Sequence, residues 1–556
     1  MLLQEGVTAQ ARARPEATAI VFKDTRLSYG ALEEASNRLA WMLIASGCRR
    51  EDRVGLLMPK TPTAIVAMLG VLKADSIYVP LDPAGPPARI ARMLETGDCR
   101  CILAAGPVWP ILREALATAT LEERPAIGWL DDKIVPAADA APAFTSRDLA
   151  VYPATPPACA NTDGDVAHIL FTSGSTGLPK GVMITHASVV QFLRWAGKYF
   201  DIAPSDRISQ HPPLHFDLST FDIFGALWAG AELHLVPQEL NLLPHKLAQF
   251  IRDGRLTQWF SAPSVLNLMA KYDVISQADF PTLRRVMWCG EAIPTPALIH
   301  WMRRVPHARF TNLYGPTEAT IASSYYTVPG CPRDEREQVP IGVACDGEEL
   351  LILDRRLLPL SAGEIGDLYI RGAGLSPGYW RDRGKTDSAF REFPGGAGPR
   401  DRIYKTGDLA RRGTDGLIYF LGRADTQIKS RGYRIELGEV EAALHSLPEL
   451  RESAVVAIQS EGFEGWLICC AYVPADRDVP ADTLRKNLAV QLPAYMLPAR
   501  WMRYDALPKN ANGKIDRPRL KNAFLVAESR HAQLNLPPHR EASEADRVAS
   551  AASSRM

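Results

Sequence analysis

The chain has 556 residues, far more than one hydrophobic core serves, so about three folding units are expected. Lys plus Arg number 63, as do Asp plus Glu, and this zero formal charge offers no global field to draw a polyanion or an acidic membrane; nucleic acid is not expected as a partner. Hydrophobic residues at 46% and charged residues at 23% describe a folded, soluble chain, excluding a disulfide-stapled miniprotein and a mainly disordered protein. The longest apolar stretch, 64–72, ends at Lys73, well short of the roughly 20 residues that a bilayer requires. The N-terminus lacks the basic-then-apolar build of a secretory signal, so a cytoplasmic location is expected. Nine scattered cysteines, Cys99-x-Cys101 and Cys469-Cys470 among them, lack metal-ligand spacing and are expected to be buried reduced thiols.

Along the chain, residues 27–44 show helical spacing, and 54–57 and 77–81 read as short buried strands with a helix, 62–73, between them. Strand, helix, strand implies a right-handed parallel unit. Residues 105–162, rich in Ala and Pro, are expected to form surface loops around one or two short elements. Alternation resumes with a strand at 285–289, a helix at 296–304 and another strand before Tyr314, so the body reads as α/β. From 400 to 436 there are nine Lys/Arg against five Asp/Glu, marking a domain junction. Beyond it, a helix at 440–445, strands at 453–458 and 467–473 and a helix at 481–492 predict a small α+β domain ending near Leu525. Residues from about 528 onward carry few bulky apolar side chains and are expected to be a disordered tail.

The most informative stretch is Thr172-Ser173-Gly174-Ser175-Thr176-Gly177-Leu178-Pro179-Lys180-Gly181, between an apolar strand at 167–171 and a helix from about 186 to 199. Three glycines let backbone N–H groups turn toward an anion, four hydroxyls add donors and Lys180 adds charge. No Gly-Lys-Ser/Thr closes it, so it is not a Walker loop. His211, His215 and Asp217 are too weakly spaced to predict a metal site, and His215 is expected to line the substrate entrance.

With this loop, the sequence resembles the adenylate-forming superfamily, which contains acyl-CoA synthetases, luciferases and the adenylation domains of nonribosomal peptide synthetases. The resemblance runs from about residue 10 to 525 through ordered segments: Leu27-Ser28-Tyr29, Tyr78-Val79-Pro80-Leu81-Asp82, the glycine-rich loop, Phe216-Asp217-Leu218-Ser219, Asn312-Leu313-Tyr314-Gly315-Pro316-Thr317-Glu318, Tyr404-Lys405-Thr406-Gly407-Asp408-Leu409, Gly422-Arg423-Ala424-Asp425 and Asn512-Gly513-Lys514-Ile515-Asp516. It implies an α/β fold: a large N-terminal body of α/β subdomains with a small β subdomain (1–423), holding the ATP and amino acid site. A small mobile α+β C-terminal cap (424–525) and the tail (526–556) follow. It also implies activation of a carboxylate by attack on the α-phosphorus of ATP, then transfer to a thiol, chemistry that needs charge neutralisation more than a nucleophile. By resemblance, Thr172, Ser173, Gly174, Ser175, Thr176, Gly177 and Lys180 hold phosphates, with Thr317 also on the ATP side. Glu318 is a ligand for Mg²⁺. Tyr314 offers a face to adenine, Asn312 reads its amino group, Asp408 accepts from the ribose hydroxyls and Arg423 supports ribose or phosphate. Lys514 is the implied catalytic residue, bridging substrate carboxylate and ATP, and Asp425 the implied hinge. The Gly432 loop is then presented for thiolation.

Within this resemblance Asp217 pairs with a substrate α-ammonium, whereas ligases of non-amino acids have no cation to neutralise there. The other implied pocket residues are Leu218, Phe221, Phe260, Met287, Cys289, Leu313, Ile321 and Ala322, none charged, so a compact apolar amino acid is expected. The lining is similar to that of free-standing enzymes that load L-proline, which puts proline first and alanine second. No carrier motif follows Leu525, so the expected acceptor is the phosphopantetheine thiol of a separate carrier protein, approaching near Arg431 and Gly432. A monomer or weak dimer is expected. The alternative is an acyl-CoA ligase for a small non-amino carboxylic acid, and a third reading is a catalytically silent binding protein. Asp75 where glycine is usual, Ser376-Pro377-Gly378, and Ser430 in a usually apolar place depart from the family pattern.

Overall fold

The computed structural model describes residues 1–134, 138–174, 178–394, 401–459, 465–475, 479–510 and 514–534, with side chains to 528 in the last of these. Among the described residues, three sheets build the body. In the first, the central strands Cys99–Ala104, Arg53–Leu57, Ile77–Leu81 and Val166–Thr172 run parallel, and Lys180–Thr185 closes the edge antiparallel to Val166–Thr172. Every residue of Ile77–Leu81 is buried, as its unbroken apolar run predicts for a strand covered on both faces. The second sheet has parallel strands Glu232–Leu235, Arg207–Gln210, Gln258–Ser261, Arg285–Cys289 and Arg309–Tyr314 at its centre. The third is antiparallel, centred on Ile365–Gly372 and Arg402–Arg412. This is the expected α/β body with its small β subdomain.

Helices fill the layers by ordinary rules. Ser28 Oγ accepts from the Ala31 N–H (3.2 Å) to start Tyr29–Ala45, and proline opens Pro62–Lys73 and Pro87–Gly97, where its missing N–H costs nothing. The residues before 162 hold more regular structure than expected: the helix Trp109–Thr118 and the strands Ala126–Trp129 and Phe144–Thr145, which extend the first sheet.

Asp75, where glycine is usual, has φ of 56°, which explains the usual glycine. Aspartate tolerates this left-handed turn, and its carboxylate accepts from the N–H groups of Ala160 (2.7 Å) and Asn161 (3.3 Å) and from the Cys159 thiol (2.6 Å). Cys159 and Cys331 are exposed, a correction to the expectation of uniformly buried thiols, while the other seven are buried and all nine are free.

Beyond the body, the strands Leu450–Gln459, Trp466–Pro474 and Arg500–Arg503 form a sheet packed on both faces. One face meets the helices Leu437–His445 and Ala481–Ala489; the other meets Leu520 and Phe524 of the last helix. Cys469 and Cys470 point to opposite faces, as strand periodicity requires. The last helix spans Arg517–Leu534 and overruns the expected end of the folded region near Leu525. Residues 535–556, the remainder of the expected disordered tail, lie outside the described residues. No helix among the described residues is long and apolar enough to cross a membrane.

Candidate active site

A cleft of about 900 Å³, open to solvent, lies where the body meets the hairpin Gln427–Ser430 and Tyr433–Glu436. Thr172 and Ser173 line it from the end of one parallel strand, Cys289 from the end of another and Gly315 to Thr317 just past a third. Asp217 and Leu218 enter at the start of the helix Asp217–Ala229. Asp408 and Arg423 come from the antiparallel sheet, and Lys429, Gly432, Tyr433 and Arg434 from the hairpin. Sites at the carboxyl ends of parallel strands are the common arrangement in open α/β sheets.

At one end, Thr172 Oγ1 is buried with no hydrogen-bond partner among the described residues, Ser173 Oγ donates to the Arg434 carbonyl (2.9 Å), and the Gly174 N–H donates to Glu439 Oε2 (3.3 Å). Ser175, Thr176 and Gly177, expected to hold phosphates, lie outside the described residues. The Lys180 ammonium stands 4.0 Å from Glu318 Oε1 and 5.0 Å from the centre of the Tyr379 ring. Glu318 has no solvent exposure; Oε1 accepts from the Tyr379 hydroxyl (2.8 Å) and Oε2 from Arg434 (2.6 Å). Burial alone would raise its pKa, but Arg434 and Lys180 outweigh burial and hold it down to about 2.

At the other end, Asp408 accepts from the Tyr314 hydroxyl and from Arg423 (2.7 Å), whose guanidinium also forks onto Asp425 at 2.9 and 2.6 Å. Asn312 is buried, its amide donating to the Pro340 carbonyl (2.9 Å). The Lys429 ammonium lies 5.9 Å from the centre of the Tyr314 ring. Gly315 has no room for a side chain: a Cβ there would meet the Ala322 backbone at 2.6 Å.

Between these ends sits Asp217, 8% exposed and first residue of its helix. Burial pushes its pKa up to about 6, only partly offset by a hydrogen bond from Thr317 and the charge of Lys429. Leu218 and Cys289 line the cleft with it, and both belong to one large buried apolar cluster that also holds Phe221, Phe260, Met287, Leu313, Ile321 and Ala322. Phe221 and Phe260 meet edge to face at 5.6 Å. Cys289 Sγ lies 3.9 Å from the Ile321 carbonyl, and burial pushes its thiol up to about 12, so it packs as a neutral group. Thr320 (φ 53°) and Ile321 (φ 71°) are both left-handed, a strained turn for β-branched residues, of the kind that gathers at functional sites.

Lys514 is not brought to the cleft. It is exposed, in a turn closed by the Asn510 N–H to Lys514 carbonyl bond (2.7 Å), and Asn512 and Gly513 lie outside the described residues. Conversely, Arg434 lines the cleft although the expected site omitted it, and three further residues hold the groups around it: Tyr379 donates to Glu318, Glu291 accepts from the Gly432 N–H (2.6 Å), and Glu439 binds Arg89. Ser430 donates to the Trp466 carbonyl (3.1 Å), which accounts for a hydroxyl at a usually apolar position. For Gly432 the signal is the family resemblance; for Arg434 it is only the local excess of cations at 400–436.

The model of the AMP-binding enzyme family matches residues 7–380, and that of the AMP-binding enzyme C-terminal domain matches residues 439–514. Surfactin synthase subunit 2 of Bacillus subtilis is 35% identical over 523 residues, 94% of this chain and 14% of that protein. Bacitracin synthase 3 of Bacillus licheniformis is 35% identical over 517 residues, 93% of this chain and 8% of that protein. The chain thus spans a small part of these relatives' length. Among solved structures, the Vibrio cholerae adenylation domain AlmE, in complex with glycyl-adenosine-5'-phosphate, is 26% identical with a TM-score of 0.81, covering 94% of this chain and 98% of that one. Holo-PA1221, a nonribosomal peptide synthetase protein containing adenylation and carrier (PCP) domains, is 26% identical with a TM-score of 0.76, covering 93% and 84%.

Proposed function

The chain belongs to the AMP-binding enzymes, and from that premise we propose that it activates a compact apolar α-amino acid, L-proline first and alanine second. The substrate carboxylate attacks the α-phosphorus of ATP, the bond to the β-phosphate breaks, and aminoacyl-AMP and pyrophosphate form. The aminoacyl group then passes to the phosphopantetheine thiol of a separate carrier protein. One observation carries the reading: Asp217, a buried carboxylate, lines the cleft beside the apolar Leu218 and Cys289. Such a carboxylate is costly unless a cation meets it, and an α-ammonium is that cation. AlmE, bound to a glycyl adenylate, and PA1221, with its carrier domain, support the two halves of the reaction.

In this reading the glycine-rich loop and Lys180 take the phosphates, Asp408 the ribose hydroxyls and Tyr314 the adenine. Lys514 bridges substrate carboxylate and ATP, and Asp425 serves as the hinge. The Glu318 carboxylate, fully buried next to Thr317 of the cleft, offers the hard oxygen donors that would hold Mg²⁺. Among the described residues no three His, Cys, Asp or Glu side chains gather as metal ligands, which suits a cation held by one carboxylate and substrate phosphates. When bound, Mg²⁺ neutralises charge on the phosphates.

The test is ATP–pyrophosphate exchange across a panel of amino and non-amino acids. Exchange confined to small apolar amino acids is expected, with proline strongest; exchange with non-amino acids alone would establish the acyl-CoA ligase instead. Loading of a candidate carrier protein, against coenzyme A, checks the acceptor.

A further inference from the structure

The turn at Thr320 and Ile321 is held against its own preference. Both residues are β-branched and left-handed, with φ of 53° and 71°, a conformation that persists only where the surroundings over-determine it. The Thr320 hydroxyl donates to the Gly374 carbonyl (2.7 Å), and just past the turn the Ser323 N–H donates to the Tyr314 carbonyl (2.8 Å). Gly374 lies on the segment that leaves the strand Ile365–Gly372 and is itself fixed. Its N–H donates to Oε1 of Glu348 (2.7 Å), the first residue of the strand Glu348–Leu353. A relay therefore runs from Glu348, through both polar backbone groups of Gly374, to Thr320.

The place is unfavourable for a carboxyl. Oε2 is buried with no hydrogen-bond partner among the described residues, and burial pushes the Glu348 pKa up to about 7, only partly offset by the Gly374 bond. Two glycines make room for it: a Cβ on Gly372 would stand 2.6 Å from Oε2, and one on Gly374 would stand 2.9 Å from Oε1. An apolar side chain would fill this space without an orphaned oxygen, so what the carboxyl supplies is the acceptor for Gly374.

The relay bears on one half of the site. Glu318 has ties of its own: its backbone carbonyl accepts from the Ser376 N–H (2.9 Å), and its carboxylate accepts from Tyr379 and Arg434. Ile321 follows Thr320 directly, so what holds Thr320 aims Ile321. We propose that Glu348 is a positioning residue for the amino acid pocket, holding the Thr320–Ile321 turn through Gly374 and thereby fixing Ile321 as part of the pocket wall. This rests on the amino acid pocket proposed above, in which the family resemblance places Ile321.

The experiment is ATP–pyrophosphate exchange by the full chain, with KM measured separately for ATP and for the acid that the wild type activates best. Glu348→Ala should raise KM for the acid about three- to ten-fold, the range of one hydrogen bond, and leave KM for ATP unchanged. Glu348→Gln, which keeps an acceptor, should restore it. Thr320→Val cuts the relay at its other end and should raise the same KM to a similar extent. The double variant Glu348→Ala with Thr320→Val should lose no more than the larger single change, because both substitutions remove one relay. Thermal unfolding confirms that each variant is folded. An unchanged KM for the acid in folded Glu348→Ala, equal rises in both KM values, or losses that multiply in the double variant overturn the proposal. An unchanged KM for the acid in Ile321→Ala removes Ile321 from the pocket wall, a separate failure that takes the proposal with it even where Glu348 and Thr320 remain coupled.

Discussion

Asp408 and Arg423 stand directly opposite each other on the antiparallel strands Arg402–Arg412 and Ile418–Arg423, joined by a 2.7 Å charge-assisted hydrogen bond. The second carboxylate oxygen of Asp408 accepts from the Tyr314 hydroxyl, so one residue aligns the aromatic ring and the guanidinium proposed to hold the nucleoside. Asp408→Ala removes this acceptor from the Tyr314 hydroxyl and from Arg423, which keeps its bonds to Asp425 and the Thr406 carbonyl. A hydrogen bond to a charged group contributes about 1.5–3 kcal/mol, so KM for ATP in the exchange assay should rise about ten-fold to more than a hundred-fold. Asp408→Asn, which keeps an acceptor, should lose less.

These relationships were unequally legible in the sequence. Strand Ile77–Leu81 announces itself by an unbroken apolar run, and the glycine-rich loop by composition. The apolar wall from Leu218 to Ala322 has no period linking its members; the resemblance alone joined them. Arg434 and Glu318, 116 residues apart, each look like a solvated charge, and burial of charge is not written in local pattern. The helix Arg517–Leu534 runs past the last bulky apolar residues because Ala, Glu and Arg favour helix without them.

Asp217 gives a pH signature. Its carboxyl is pushed up to about 6, above the ordinary 3.8, and only its ionised form pairs with an ammonium. Affinity for the amino acid should therefore improve as pH rises through about 6 and then level. Asp217→Asn should be flat across that range and weaker by roughly two to four orders of magnitude, in line with about 3–5 kcal/mol for a broken buried pair. For folding, the native state binds more protons than the unfolded chain between pH 3.8 and about 6, so this group's contribution falls as pH rises through that window. Calorimetric titration of amino acid at several pH values checks the first statement, and denaturant unfolding of wild type against Asp217→Asn checks the second.

Met287 is fully buried on the strand Arg285–Cys289, in the same apolar cluster as the cleft residues Leu218 and Cys289, and is proposed to wall the amino acid pocket. Met287→Ala should cost about 2–5 kcal/mol of stability through the cavity it leaves, lowering the thermal unfolding midpoint. The same cavity should admit longer side chains. Exchange with proline should fall while leucine and methionine gain, a shift of about 1–3 kcal/mol in selectivity for each methylene accommodated. A panel that keeps its rank order would place the specificity wall elsewhere.

Lys514 separates the two halves of the proposed reaction. Exposed and outside the cleft, it does not pack into the fold here, so Lys514→Ala should leave the unfolding midpoint unchanged. If its ammonium bridges substrate carboxylate and ATP, exchange should fall by about two to three orders of magnitude, the usual cost of a missing electrostatic stabiliser. Transfer from supplied aminoacyl-AMP to the carrier should persist, because Gly432, Tyr433 and Arg434 of the hairpin already line the cleft without Lys514. Gly432→Ala should show the opposite pattern: a side chain at φ of 83° and 3.1 Å from Ala262 would strain the docked turn, slowing carrier loading more than exchange. Measuring both half-reactions in both variants decides whether the first step requires the hairpin to leave; equal losses in the two would show that a single arrangement serves both.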